Sequence, residues 1–146
     1  MLLFEIFNKT LPWEWDRKQY TNTNMVAYFQ VDGAEYNVEF DSIGENHWSC
    51  EFGRSVGDNA PVSTITGTGN QYAVFATVVD IVKEFMSQND PDQLMFSAAS
   101  KEPSRIRLYD RMLKMFPKDQ YDVEVSDVKN ETYYYVKKKG VQQRAA

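Results

Sequence analysis

The stretch Thr64–Phe116 decides the fold, and it opens with TITGTG at residues 64–69 followed by a helical pattern over Tyr72–Met86. A short buried strand is then predicted at Leu94–Ala98, and a second helix over Ser104–Phe116. A strand that enters a helix through glycines and returns to a parallel neighbour is a βαβ unit. Such a unit directs backbone N–H groups and a helix N-terminus at one spot, which suits an anion such as a phosphate.

The first helix of this stretch has the clearest pattern in the chain. Its apolar residues recur at the helical period, as in Val74, Val78, Ile81, Val82 and Phe85. A helix with so wide an apolar stripe is expected to pack against a sheet. The run Leu94-Met95-Phe96 is continuous and apolar, which is typical of a parallel strand covered on both faces.

The segment before this unit, residues 24–54, predicts an antiparallel meander of three strands. These are Val26–Val31, Glu35–Phe40 and His47–Phe52. Asp32-Gly33 separates the first two strands and is a strong hairpin signal, because a tight turn needs a positive φ that glycine supplies.

The chain is predicted to form one α/β (α+β) domain over its 146 residues. It combines a mixed sheet, an N-terminal antiparallel meander and a C-terminal βαβαβ half that ends in two strands at Tyr121–Val125 and Thr132–Val136. The predicted segments are an apolar and aromatic part at 1–20, a folded core at 24–136 and a basic tail at 137–146.

Composition excludes several classes of site. The chain has one cysteine, Cys50, and one histidine, His47, so an internal disulfide is impossible and a Cys/His zinc site within one chain is not expected. A serine-type triad would have to use His47, which lies on the wet face of its strand. The net charge of −5 disfavours nucleic acid, and no apolar run suggests a membrane span. We expect a soluble intracellular protein, or one that assembles inside a cell, without a metal.

The order of these elements resembles that of the GNAT N-acyltransferases. The GNAT phosphate loop, Gln/Arg-x-x-Gly-x-Gly/Ala, is similar to Thr66–Gln71, with Gly69 at the middle glycine. A later GNAT helix often reads Asn-Pro-x-Ala-x-x-Leu-Tyr, and here Pro103, Leu108 and Tyr109 match it. The resemblance implies a GNAT-like fold whose phosphate loop is degenerate, since Thr66 and Gln71 replace the outer residues of the motif.

The same resemblance implies an acyl-CoA-dependent N-acyltransferase that uses acetyl-CoA. Its cofactor-binding residues would be Gly67, Gly69, Asn70 and Gln71. Tyr109 falls where the family keeps its general acid and would protonate the leaving thiolate. The wet faces of the meander offer three alternatives for the general base: Glu35, Glu39 and Glu51.

A second resemblance is to small proteins of unassigned function encoded by tailed bacteriophages. It rests on Phe96-Ser97-Ala98, Glu102–Arg105 and Leu108–Arg111. It implies a phage virion or the host cytoplasm as the location, and a phage or host protein as the partner.

Two surfaces are predicted to bind such a partner. Trp13 and Trp15 share a face if extended, and tryptophan is enriched at interface hot spots, although these rings also suit the edge of a core. Arg105, Arg107 and Arg111 on the second helix form a basic stripe with Lys101 and Lys114, which is either a docking surface or a solvated face.

Two hypotheses follow. The favoured one is a phage-encoded protein-binding protein on a GNAT-like scaffold, as a virion or assembly component or a host-directed effector, without a cofactor. The alternative is an acyl-CoA-dependent N-acyltransferase with Tyr109 as its acid. A homo-oligomer fits the first hypothesis.

Overall fold

The computed structural model describes residues 10–31, 33–54, 70–99 and 103–140. Within these ranges the chain forms seven strands and two helices. The strands are β1 (Trp13–Tyr20), β2 (Asn24–Val31), β3 (Ala34–Gly44), β4 (His47–Arg54), β5 (Gln93–Ala99), β6 (Tyr121–Val128) and β7 (Glu131–Lys138). The helices are α1 (Asn70–Asn89) and α2 (Pro103–Leu113).

The strands form one sheet in the order β1-β2-β3-β4-β5-β7-β6. All neighbouring strands are antiparallel except β4 and β5, which are parallel. The predicted α/β (α+β) class, with a mixed sheet and an N-terminal meander, is therefore confirmed.

The hairpin between β2 and β3 has the predicted glycine turn. The two strands pair in unbroken register from Asn24 with Asp41 to Val31 with Ala34. Gly33 takes a φ of +81° in the turn, a conformation that costs glycine little because it has no Cβ.

A strand, β1, forms the edge of the sheet in the segment predicted only as apolar and aromatic. It pairs antiparallel with β2, and its register is irregular between Trp15 and Tyr20. Residues 1–9 of the same predicted segment lie outside the described residues.

The parallel partner of β5 differs from the prediction. His47–Cys50 of β4 pairs with Gln93–Phe96 on one side of β5, and β7 pairs along its other side. The predicted partner Thr64–Thr66 lies outside the described residues, and both sides of Gln93–Phe96 are already occupied. The βαβ unit is therefore β4-α1-β5.

The core lies on one face of the sheet, which we call the helix face. Phe40, Cys50, Phe96 and Tyr134 are paired in one row from β3 to β7 and therefore point to the same side. The ring of Phe85 in α1 stacks on Phe40 at 4.0 Å between centroids. Tyr109 of α2 packs against Phe96 and Tyr134 on that same side. Both helices thus cover one face.

The opposite side of the sheet, which we call the open face, is covered by neither helix. Met95 lies there and is half-buried, whereas its neighbours Leu94 and Phe96 are buried on the helix face. β5 was predicted to be covered on both faces; within the described residues the helices cover only one of them, and the other face is half-buried at Met95. The apolar run is continuous because Met95, between Leu94 and Phe96, is itself apolar, although its face of the sheet is only partly buried.

Helix α1 is enclosed on several sides over its first half. Residues 74–79 are all buried, including the side chain of Thr77. The Thr77 hydroxyl donates to the carbonyl of Ala73 at 2.6 Å and accepts from the N–H of Leu11 at 2.9 Å. The segment leading into β1 therefore lies against this helix and is held there by a hydrogen bond to the buried Thr77 hydroxyl.

Helix α2 begins at Pro103, one residue before the predicted start. Proline suits a first helical turn because its missing N–H has no intrahelical partner there. The predicted end at Phe116 lies three residues beyond Leu113, in a turn where Phe116 packs on Tyr121. Neither helix, in the part of the chain that the structure describes, is long and apolar enough to cross a membrane.

Candidate functional site

The parallel pairing of β4 and β5 stops partway along both strands. The ladder ends at Cys50 with Phe96, yet β4 continues to Arg54 and β5 to Ala99. Beyond the ladder, β4 remains paired only with β3 and β5 only with β7. The facing edges of residues 51–54 in β4 and 97–99 in β5 are therefore not paired with each other. They bound an opening in the sheet, which we call the β4–β5 cleft.

Helix α1 points its N-terminus toward this opening. Near its C-terminal end, Phe85 packs on Trp48 at the start of β4 with ring centroids 5.1 Å apart. The first half of α1 contacts Leu11. This residue lies beside the row of paired strand residues that crosses the sheet from β1 and ends at Arg54, the last residue of β4. Because a helix N-terminus carries about half a positive charge, this arrangement favours an anion at the open end of the cleft.

The predicted phosphate loop can be located only in part. Asn70 and Gln71 are the first two residues of α1, although their side chains lie outside the described part. Gly67 and Gly69 lie outside the described residues. The assignment of these four residues to a cofactor stays a prediction.

Tyr109 lies beside the inner end of the cleft. Its side chain is 1% exposed, and its ring centroid is 5.2 Å from that of Phe96, the last β5 residue paired with β4. The ring also packs edge-on against Tyr134 at 5.8 Å. The predicted general acid is thus a core residue on the helix face, directly beside the point where the two strands separate.

Tyr134 fixes this part of helix α2 to β7. Burial, the charge of Asp110 and its hydrogen bond with the phenol together raise the pKa of Tyr134 to about 12. The phenol therefore stays protonated at neutral pH and donates to Asp110 on α2. This contact holds the helix turn that carries Tyr109.

Glu51 and Glu39 lie together on the open face of the sheet. They are directly paired between β4 and β3, and Glu51 is the first β4 residue beyond the ladder with β5. Glu51 is exposed, whereas Glu39 is half-buried and accepts a hydrogen bond from the side-chain amide of Asn24 at 2.8 Å. Among the three predicted bases, the structure therefore places Glu51 nearest to the cleft.

The third predicted base, Glu35, is exposed on the same face of β3. It lies four residues before Glu39, which is about 13 Å along a strand. It does not join the Glu39–Glu51 pair.

The open face carries negative charge over its N-terminal strands. The hydrogen bond from the phenol of Tyr28 to Glu14 raises the pKa of Tyr28, and burial and the charges of Glu14, Asp16 and Glu35 raise it further. Burial, followed by the charge of Glu51, raises the pKa of the Cys50 thiol well above its usual value. The thiol is therefore a buried apolar group, and the carboxylates favour a cationic molecule on this face.

No group of three His, Cys, Asp or Glu side chains able to hold a metal ion occurs within residues 10–31, 33–54, 70–99 and 103–140. His47 is exposed at the start of β4, at the end of the ladder away from the cleft.

The two predicted partner surfaces lie apart. Trp13 and Trp15 are half-buried on β1, where the Trp13 indole donates to Asp80 at 2.8 Å and Trp15 packs against Phe40. Arg107 and Arg111 are exposed on α2, which packs over β5 and β7. The side chain of Arg105 lies outside the described part. The structure brings the two surfaces to different parts of the sheet, and their roles in binding stay predictions.

Sequence reasoning from the residues did not find the cleft itself. The only local signal was the change from apolar Leu94–Phe96 to the small residues Ser97 and Ala98. The position at which a parallel ladder ends depends on the register of two strands distant in sequence, which a single sequence does not reveal.

Comparisons with known proteins agree with this topology. Residues 19–143 match the family of unknown function DUF6934. The N-acetyltransferase PseH of Campylobacter jejuni is similar in fold, with a TM-score of 0.51 and 11% identity, over 80% of this chain and 70% of that one. An F149A mutant of the spermidine N-acetyltransferase SpeG from Vibrio cholerae is also similar in fold, with a TM-score of 0.50 and 9% identity, over 92% of this chain and 73% of that one. No curated protein matches the sequence. The likeness shows a GNAT-like fold.

Proposed function

The chain belongs to DUF6934, a family of unknown function, and we propose that it is an acyl-CoA-dependent N-acyltransferase on a GNAT-like scaffold. The observation that supports this proposal is the β4–β5 cleft, where two parallel strands part while both continue. The inner edges of two strands offer backbone N–H and C=O groups that a linear chain of amides can pair with. The pantetheine arm of coenzyme A is such a chain.

The residues at the cleft fit this group. Gly53, Ser97 and Ala98 beyond the ladder are small, so few side-chain atoms compete for the opening. The N-terminus of α1 faces its outer end and suits the pyrophosphate. When bound, the cofactor would supply an acyl group activated as a thioester.

We assign the two proton transfers to residues on the two sides of the sheet. Glu51 on the open face accepts a proton from the attacking amine as the new carbon–nitrogen bond forms. Tyr109 on the helix face donates a proton to the sulfur as the carbon–sulfur bond breaks. The carboxylate and the phenol thus sit on opposite faces, so that an amine approaches from the solvated open face while the thiolate is protonated from the core side.

The first test is a thermal-melt titration with acetyl-CoA. A ligand at about a hundred times its dissociation constant stabilises a protein by roughly 2.7 kcal/mol, so we expect a saturable rise in melting temperature. Ser97→Trp should reduce that rise because its ring would cover the open-face side of the cleft. Ser49→Trp is the matched control, since Ser49 is equally half-buried on the same face but beside the paired part of the ladder. No rise at millimolar acetyl-CoA would contradict the proposal.

The second test concerns the base. Glu51→Gln should lower kcat by about 10²- to 10⁴-fold, the usual contribution of a general base, with little change in melting temperature. Release of free thiol from acetyl-CoA across a panel of amines gives the rate. Glu35→Gln, an exposed glutamate on the same face, should keep the wild-type rate. Equal losses in both variants would assign the effect to surface charge rather than to proton transfer.

A protein-binding role is the second candidate, and the exposed valines of edge strand β6 favour it. A phage virion component or a host-directed effector would act through such a surface. In that case Tyr109→Phe changes stability slightly and leaves partner binding intact, whereas an acyltransferase loses activity.

A further inference from the structure

The two edges of the sheet differ in how they are protected against pairing with another chain. An edge strand offers unpaired backbone groups, and bulges, prolines and charged side chains discourage a second strand from adding to it. Edge strand β1 has several of these features. Pro12 precedes it, its register is irregular between Trp15 and Tyr20, and Arg17 and Lys18 are exposed on it.

Edge strand β6 lacks the proline, the irregular register and the basic side chains of β1. Its eight residues pair with β7 in unbroken register, from Tyr121 with Lys138 to Val128 with Glu131. It contains no proline, lysine, arginine or glycine. Val123, Val125 and Val128 are exposed, and Val125 is 56% exposed. A straight strand that shows this many β-branched apolar side chains to solvent is a template for pairing.

Two of the three acidic side chains of β6 form ion pairs within its own hairpin. Glu124 forms an ion pair with Lys137 at 2.9 Å, and Asp122 forms one with Lys139 at 3.8 Å. Such exposed pairs add little stability, but they offset the negative charge that would otherwise repel an approaching copy of the same strand.

We infer that β6 pairs antiparallel with β6 of a second copy of this chain, so that two sheets become one across a two-fold axis. This inference does not depend on the proposed acyl transfer. Strands β5 and β7 separate β6 from the β4–β5 cleft, so both clefts of the dimer stay accessible.

The charges also select a register. With the axis at Val125, each Val125 faces its own counterpart, and Glu124 faces Ser126 of the second copy. With the axis at Glu124, two glutamates would face each other, and like charges directly opposite in a sheet are destabilising. The axis at Val125 is therefore the register we propose.

The first experiment measures the mass of the full chain by sedimentation equilibrium. We expect twice the 17.0 kDa of one chain at micromolar concentration. Val125→Lys should return the protein to the monomer mass, because two lysines would meet at the axis. Ile43→Lys is the matched control, since Ile43 is 52% exposed but lies on β3, and it should stay dimeric. A monomeric wild type, or a dimeric Val125→Lys, would overturn the inference.

The second experiment tests the register by cysteine cross-linking. Val125→Cys should form an intermolecular disulfide on mild oxidation, because facing Cα atoms in an antiparallel pair lie about 4.5–5.5 Å apart. Glu124→Cys should not, since its counterpart would lie two residues away, roughly 8 Å distant and beyond disulfide reach. The native Cys50 is buried and does not compete. Cross-linking of Glu124→Cys but not Val125→Cys would overturn the proposed register.

Discussion

Among the tyrosines in the described part of the chain, Tyr134 has the phenol whose pKa is raised most, and its position explains why. The ring is buried under α2, where it meets Tyr109, and its hydroxyl donates to Asp110. Burial and the neighbouring carboxylate both disfavour the phenolate. The neutral phenol is therefore part of what holds the helix on the sheet.

This residue makes the stability depend on alkaline pH. The pKa of Tyr134 rises from about 10 in an unfolded chain to about 12 in the fold, so its contribution is complete below pH 10 and is lost as the pH rises through 12. We expect the free energy of unfolding in urea to fall more steeply between pH 10 and pH 12 in the wild type than in Tyr134→Phe. Because Tyr134→Phe removes the hydroxyl and keeps the ring, this comparison isolates the titration of the Tyr134 phenol. Equal slopes in wild type and Tyr134→Phe would contradict the assignment.

At the residue scale, the sequence was a fair guide to which side chains matter and a poor guide to their surroundings. The matching Pro103, Leu108 and Tyr109 pointed to the helix that flanks the cleft. That Tyr109 would be buried between Phe96 and Tyr134 depends on strand pairing across the sheet, which local spacing does not encode.

At the scale of single elements, the β2–β3 hairpin depends on the backbone of one residue. Gly33 has a φ of +81°, and a Cβ added there would meet no atom within 4 Å. The cost of a side chain is therefore purely conformational, without any steric clash.

We expect Gly33→Ala to lower the free energy of unfolding by about 1–2 kcal/mol, the usual cost of a left-handed conformation for an L-residue. Gly33→Asn should cost less, because asparagine tolerates this region better. Chemical denaturation of the three proteins provides the comparison. If alanine and asparagine cost the same, the loss comes from something other than backbone conformation.

The elements that the sequence predicted well are those whose pattern is local. The apolar period of α1 and the alternation of Tyr36, Val38 and Phe40 in β3 each follow from neighbours in sequence. Strand β1 was missed because its irregular register after Trp15 breaks the alternation. The parallel partner of β5 was misassigned because the glycine turn made Thr64–Thr66 the nearest candidate, whereas the observed partner lies further back in the chain.

At the scale of the whole molecule, one core joins both helices to one sheet. The paired row Phe40–Cys50–Phe96–Tyr134 runs beneath α1 at one end and α2 at the other. Side chains of the meander half and of the C-terminal half therefore share their packing, and the predicted single domain should unfold as one unit.

This prediction can be tested with the tryptophans, since Trp13, Trp15 and Trp48 all lie in strands β1–β4. Met112→Ala removes a buried side chain of α2, in the other half, and should cost about 2–5 kcal/mol. We expect the fluorescence and circular dichroism transitions of the variant to shift together to lower temperature. A tryptophan transition that stays at the wild-type temperature would mean that the halves unfold independently.

The single parallel ladder also has a consequence for how the chain folds. Every pair in it joins residues 46 positions apart, as in His47 with Gln93, which exceeds the separation in any other described strand pair. Contacts between distant residues form slowly, because the entropy of closing the intervening loop is lost before the contacts stabilise the structure. With only four pairs to compensate, we expect the joining of β4 and β5 to be a slow step in folding. A molecule held between the two strands would then slow their separation as well, so occupancy of the cleft and the lifetime of the folded state are coupled.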